Sequence, residues 1–203
     1  MGILRKDFQI ISEMIEPGSR VLDLGCGTGE LLLYLKQTKN IYSVGIEIDT
    51  DEVIECLRKG INVIHYDINN GLGFIDNFSF DYVVISKTIQ QLRSPGKLLD
   101  EVLRISRKAI ISFPNFGNIK VRFYLLFKGE MPVTSDLPYS WFNTPNIHLF
   151  TYKDFINLCK LKGISVEKVI PIARAFGKEF VFKFMPNLFA EDIIVLVSLN
   201  KIS

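Results

Sequence analysis

Apolar side chains recur along this chain with two alternating periods. Ile10, Ile11, Met14 and Ile15 lie at helical spacing, and Pro17-Gly18 ends that helix and turns the chain. Arg20 to Leu24 is a short apolar run that enters a group of glycines. Leu31, Leu32 and Leu35 then share one side of a helix, which makes a strand, a tight loop and a helix. The alternation continues with strands predicted at 43–48, 62–65, 80–86 and 109–113 and helices at 51–59 and 95–105. Strands alternating with helices predict an α/β fold with a mostly parallel sheet covered on both faces, and right-handed crossovers make it Rossmann-like and doubly wound.

Beyond Pro114 the pattern gives way to a segment rich in Phe, Tyr, Pro and Asn that runs to Phe150, read as an irregular cap over 113–150. Thr151, with Asp154 three residues on, predicts a capped helix to Lys162, which Gly163 stops. Two late strands follow, at 164–170 and 193–199. Between them Phe176, Phe180, Phe182 and Phe184 alternate with Lys178 and Lys183, as a hairpin or a partner surface would.

The 203 residues fit one domain, 1–203, with 48% apolar side chains to fill its core. Apolar runs such as Ile193 to Val197 fall far short of the ~20 residues of a membrane-spanning helix. Met1 to Phe8 lacks the apolar core of a signal peptide, so the expected location is cytoplasmic. Cys26, Cys56 and Cys159 are too few and too widely spaced for a metal cluster and read as reduced, buried thiols. Charge is uneven: residues 1–103 carry 15 acidic against 10 basic side chains, and 104–183 carry 13 basic against 5 acidic. A basic half can serve an acidic partner or RNA, but these cations are scattered as on a solvated face, and no nucleic-acid motif accompanies them.

The chemistry belongs where strand order reverses in an open parallel sheet, at the carboxyl ends of the strands. Gly25, Gly27 and Gly29 fall there, after the first strand, spaced GxGxG. A dinucleotide fingerprint would continue GxGxxG, yet residue 30 is Glu, and Asp23 stands two residues before the first glycine. That carboxylate would repel a pyrophosphate and favour a ligand that carries an ammonium, as S-adenosylmethionine does. Glu47 ends the second strand, where an acid can accept hydrogen bonds from both ribose hydroxyls. Asp67 follows the third strand, where it can receive an adenine amino group while Ile68 covers the ring.

With VLDLGCGTGELL, GIEID and HYDINNGL in these places, the chain resembles the class I S-adenosylmethionine-dependent methyltransferases. More narrowly it resembles the family of the methionine biosynthesis protein MetW, through LRKDF (4–8), SKTIQQL (86–92), SFPNFGN (112–118) and the long aromatic run GEMPVTSDLPYSWFNTPNIHLFT (129–151). The resemblance covers nearly the whole chain. It implies a seven-stranded sheet, cofactor roles for Asp23, Gly25, Gly27, Glu47 and Asp67, and a place at the cofactor's rim for Ser86. Cys26, Gly29, Ile48 and Ile68 complete the candidate cofactor set. It also implies a role in methionine biosynthesis with a homoserine O-acyltransferase as partner.

Methyl transfer is an in-line displacement that needs positioning and exclusion of water more than a base. On the acceptor side the candidates are Asn115, Tyr139, Trp141 and His148. His148 could act as a general base, although a histidine between Ile147 and Leu149 is more often structural. His65 is a strand-end residue suited to a backbone contact, and Tyr139, Trp141 and Phe142 would make an aromatic wall. Two functions share such a site: methyl transfer to a small molecule, and a non-catalytic subunit that senses S-adenosylmethionine for the acyltransferase. Methylation of RNA or protein is disfavoured because Ser86-Lys87-Thr88 stands where an Asn/Asp-Pro-Pro-Tyr motif would be.

Overall fold

Period-two alternation along the strands sorts the core onto the two faces of one sheet. On β1 (Arg20–Leu24), Leu22 and Leu24 point to one face and Val21 to the other. On β4 (Phe80–Ser86), Val83 and Ile85 oppose Tyr82 and Val84. On β5 (Ser106–Pro114), Ala109, Ile111 and Phe113 oppose Ile110. The first face packs on α4 (Pro95–Ile105) and α6 (Tyr152–Leu161), and the second on α1 (Lys6–Met14), α2 (Glu30–Lys39) and Cys56 of α3 (Thr50–Arg58). The computed structural model describes residues 6–134, 137–175 and 178–200. Leu4 and Arg5 of the opening motif, Ser135 and Asp136 of the aromatic run, and Phe176 lie outside those residues.

The remaining strands are β2 (Tyr42–Glu47), β3 (Val63–His65), β6 (Ile164–Ala175), β7 (Lys178–Val181) and β8 (Asp192–Leu199). Their order is β3-β2-β1-β4-β5-β8-β6-β7. The first five are parallel, and β8 enters antiparallel between β5 and β6. The fold is therefore the expected mostly parallel, Rossmann-like α/β sheet. Strand order reverses between β1 and β4, so the carboxyl ends of these two strands open the crevice in which ligands of such sheets bind.

Two details differ from the sequence reading. The sheet has eight strands rather than seven, because β7 pairs with β6 in an antiparallel hairpin, Ile172 opposite Val181. The segment read as irregular contains a helix, α5 (Ile119–Lys128). Its signals are local: Asn118 caps it through Oδ1, which accepts from the Lys120 N–H at 2.8 Å, and Gly129 closes it with φ 67°. Apolar residues on both of its sides hid the helical period. The predicted cap at α6 forms in full, with Thr151 and Asp154 bonding each other's backbone N–H groups. No helix of the described residues is long and apolar enough to cross a membrane.

Candidate functional site

The glycine loop leaves β1 at the reversal point and is tied at once to β2. Gly25 and Cys26 donate their N–H groups to the Ile46 carbonyl at 2.8 and 3.2 Å. Gly25 has φ 72° and lies so close to the loop after β4 that a Cβ there would stand 2.6 Å from the Thr88 Oγ1. Gly29, at φ 73°, begins α2, and a Cβ on it would lie 2.9 Å from the Cys56 sulfur. Glycine is required at both places by conformation and by space.

Glu47 closes the loop from the other side. Its Oε2 accepts the Gly27 N–H at 2.8 Å, and its Oε1 accepts those of Ile48 and Asp49 at 2.7 and 3.0 Å. A carboxylate offers about four lone-pair sites, so three backbone bonds leave room for roughly one more donor, one ribose hydroxyl and not the two that the sequence suggested. Asp67 caps the 3-10 turn Ile68–Asn70, its Oδ1 accepting from the backbone and side-chain nitrogens of Asn69, both at 2.9 Å. The His65 Nε2 bonds the Ile48 carbonyl at 2.8 Å, a backbone contact at the strand end.

These elements border a cleft of about 670 Å³, within the usual size of small-molecule sites. Gly25, Gly27, Glu47, Ile48, Asp67, Ile68 and Ser86 line it. Asp23 and Cys26 line a smaller adjoining pocket that shares Gly25, Gly27 and Ser86 with the cleft. Gly29 packs behind the loop. The ten candidate cofactor residues thus fall in one place, on elements that the parallel pairing of β1 with β2 and β4, and of β2 with β3, brings side by side.

The site is crowded with acids. Asp23 is 2% exposed, and its Oδ1 is buried without a partner. Burial first, and the charge of Glu47 second, push its carboxyl up to about 7. Glu52, also on the cleft, is held above the usual carboxylate range by burial and then by Glu47 and Asp49, and its Oε2 has no partner. Burial likewise pushes the Cys26 thiol upward, so Cys26 and Cys56, 3.9 Å apart, face each other as neutral thiols. All three cysteines are free and buried. Like charges gathered in low dielectric favour either a proton or a cationic ligand.

Lys87, Thr88 and Tyr66, which the sequence reading did not assign, also line the cleft. Lys87 has φ 56°, a left-handed conformation rare for a side chain with a Cβ. Its N–H meets the carbonyl and Oγ of Ser112, its carbonyl accepts from the Gln90 and Gln91 amides, and its ammonium lies 3.0 Å from buried Asp192. Its sequence signal was its place beside Ser86 in the run SKTIQQL.

The acceptor-side candidates separate. Tyr139 is half-exposed and lines the cleft with Pro145. Trp141 and Phe142 stand 74% and 72% exposed, edge to face with each other. Asn115 is buried and engaged in structure: its amide nitrogen donates to the Pro186, Asn187 and Ala190 carbonyls and its Oδ1 accepts from Gly117 and Tyr152. Ile147 and His148 donate their backbone N–H groups to the Gln90 carbonyl, both at 2.9 Å, while the His148 Nε2 is buried without a partner. Among the described residues no cluster could hold a metal ion.

A family model described as methionine biosynthesis protein MetW matches residues 5–197. The bifunctional methionine biosynthesis protein MetXA/MetW of Rhodopirellula baltica is 34% identical over 202 residues, covering 95% of this chain and 32% of its own. The chain therefore spans about a third of the length of that relative. Two crystal structures are similar in fold. One is a SAM-dependent methyltransferase, possible histamine N-methyltransferase, from Thermotoga maritima, with TM-score 0.69, 16% identity and coverage of 94% of this chain and 86% of that one. The other is an S-adenosylmethionine-dependent methyltransferase from Mesorhizobium loti, with TM-score 0.69, 16% identity and coverage of 96% and 98%. At that identity the likeness shows the fold alone.

Proposed function

The chain belongs to the MetW family of methionine biosynthesis proteins, and on that premise we propose that it binds S-adenosylmethionine in the cleft, transfers methyl to a small molecule, and works with a homoserine O-acyltransferase. The observation that carries the binding is the unpartnered, buried Oδ1 of Asp23 beside the glycine loop. A buried carboxylate without a donor costs free energy until a donor arrives. An ammonium meets that need, and a pyrophosphate would worsen it. Bound there, the ligand supplies a sulfonium methyl open to in-line attack. The chain's own part is positional: Glu47 and the glycine N–H groups hold the loop, Asp67 and Ile68 border the adenine end, and Tyr139 limits water at the mouth.

A second reading, a non-catalytic sensor of S-adenosylmethionine, is favoured by the acceptor side. Asn115 is fully engaged in structure, and His148 is held through its backbone with its Nε2 out of solvent. The acyltransferase partner is supported by the relative whose name joins MetXA and MetW on one chain, which we take as the two partners covalently linked.

Calorimetry tests the binding: heat of S-adenosylmethionine binding is expected, and silence at millimolar ligand would remove the proposal. Adding this protein to the acyltransferase, with and without S-adenosylmethionine, separates the two readings. A sensor changes acyltransferase rate with ligand and forms no S-adenosylhomocysteine, whereas a methyltransferase accumulates that product once its acceptor is supplied.

A further inference from the structure

Helix α5 leaves part of its apolar surface, Phe123, Leu126 and Phe127, uncovered. Among its residues only Val121 is buried, whereas Phe123, Leu126 and Phe127 are 50%, 73% and 76% exposed. Positions 123, 126 and 127 share one face of a helix. The Phe123 and Phe127 rings stack with centroids 5.7 Å apart and planes within 7°. Met131 and Val133 continue the apolar exposure just beyond Gly129. Together these side chains expose on the order of 500 Å² of apolar surface, as large as the patches that mark interaction sites. A stable interface buries about 800 Å² per partner, so this stripe would form its centre and not the whole of it.

The charge carried by the helix itself is basic, although Lys120 is paired with Glu191 and the exposed Glu130 follows Gly129. Lys120, Arg122 and Lys128 lie within α5, and the helix contains no acid. Lys128 holds its ammonium 5.3 Å from the Tyr124 ring. The complement of such a face is an apolar groove rimmed by carboxylates, which takes an amphipathic helix by its i, i+3 and i+4 anchors. The start of α5, around the buried Val121, faces the chain that leads on to the cleft. A cavity lies between Asn118, Lys120 and Val121 on one side and Thr134 and Leu137 on the other, and the same stretch of chain goes on to Tyr139 and Pro145 at the cleft.

We propose that the exposed face of α5, centred on Phe123, Leu126 and Phe127, is the surface on which the homoserine O-acyltransferase docks, through an acid-rimmed apolar groove of that enzyme. The inference rests on the acyltransferase reading above, and the test keeps the two apart. The acyltransferase of the same organism is titrated, by interferometry and size exclusion, against the wild type, the double variant Phe123→Asp/Phe127→Asp, the milder Phe127→Ser, and Leu161→Asp, which alters an 85% exposed leucine on α6. Both α5 variants should weaken the complex, the double one by about 30-fold or more, as central anchors do, while Leu161→Asp leaves it intact. Unchanged S-adenosylmethionine binding shows that each variant is folded.

A complex that survives both α5 variants overturns the docking surface and leaves the partner reading standing. A wild type that does not bind the acyltransferase overturns both. A dimer of this chain dissolved by the α5 variants, or binding to vesicles of anionic phospholipid lost in them, would assign the face to a second copy or to a membrane and overturn the proposal.

Discussion

The backbone N–H of Gly27 donates to Oε2 of Glu47 at 2.8 Å, so the acid expected to hold a ribose also anchors the glycine loop. The other oxygen takes Ile48 and Asp49, which fixes the turn into α3. One carboxylate thus shapes the site before any ligand enters.

Glu47→Gln should therefore act twice. The amide puts an NH₂ where an oxygen accepted a backbone N–H, which loosens the loop and lowers the unfolding temperature of the unliganded protein. S-adenosylmethionine affinity should fall by about 1–3 kcal/mol, the value of a hydrogen bond to a charged group with its desolvation cost. Calorimetry and apo melting curves read the two effects separately. A variant that melts like the wild type but binds weakly would restrict Glu47 to the ligand, and unchanged binding would remove it from the site.

Asp23 makes both stability and binding depend on pH. Burial and the charge of Glu47 raise its folded carboxyl from the ordinary 3.8 to about 7. Between those values the folded chain holds a proton that the unfolded chain has lost, so stability falls as pH climbs from about 4 to about 7 and levels off above. A cationic ligand prefers the ionised carboxylate, so affinity should move the other way, rising with pH up to about 7 while binding at pH 6 releases a proton. Calorimetry at pH 6 in buffers of different ionisation heat measures that release. Asp23→Asn should flatten both profiles, and a released proton that persists in Asp23→Asn would have to come from another group.

What could be read from the chain and what could not divide along physical lines. The limits of β1, β4 and α4 agree with the apolar pattern because the two strands are buried over nearly their whole length and the helix buries one continuous face. Helix α5 escaped because it packs little against the sheet, so no amphipathic period is imposed on it and only its Asn118 and Gly129 caps mark it. The edge strand β7 pairs with β6 in the hairpin that the alternation near Phe180 allowed, but at four residues it was too short for the pattern to separate a hairpin from a partner surface. The glycines and the acids Asp23, Glu47 and Asp67 were legible as a set, because parallel strands carry their carboxyl ends to one edge. The bond from Glu47 to Gly27 was not, since it depends on side-chain reach across two strands. Nor was the task of Asn115, whose partners at 186–190 lie about 70 residues away.

Lys87 offers the last prediction. Its φ of 56° is held by bonds to Ser112, Gln90 and Gln91, the kind of strain a structure keeps where its surroundings over-determine it. Replacing it by Ala or by Gly removes the same ammonium from beside Asp192, so the ion-pair loss cancels between the two variants. What remains is the backbone: glycine accepts a left-handed φ and alanine resists it. Lys87→Gly should therefore be more stable than Lys87→Ala by about 1 kcal/mol, the reverse of the order in a helix. Both should lie below the wild type by about 1–3 kcal/mol, less than for a fully buried pair because the lysine side chain is 34% exposed. Denaturant unfolding of the three proteins gives both differences, and an alanine variant as stable as the glycine one would mean that the loop relaxes out of the left-handed region once the lysine is gone.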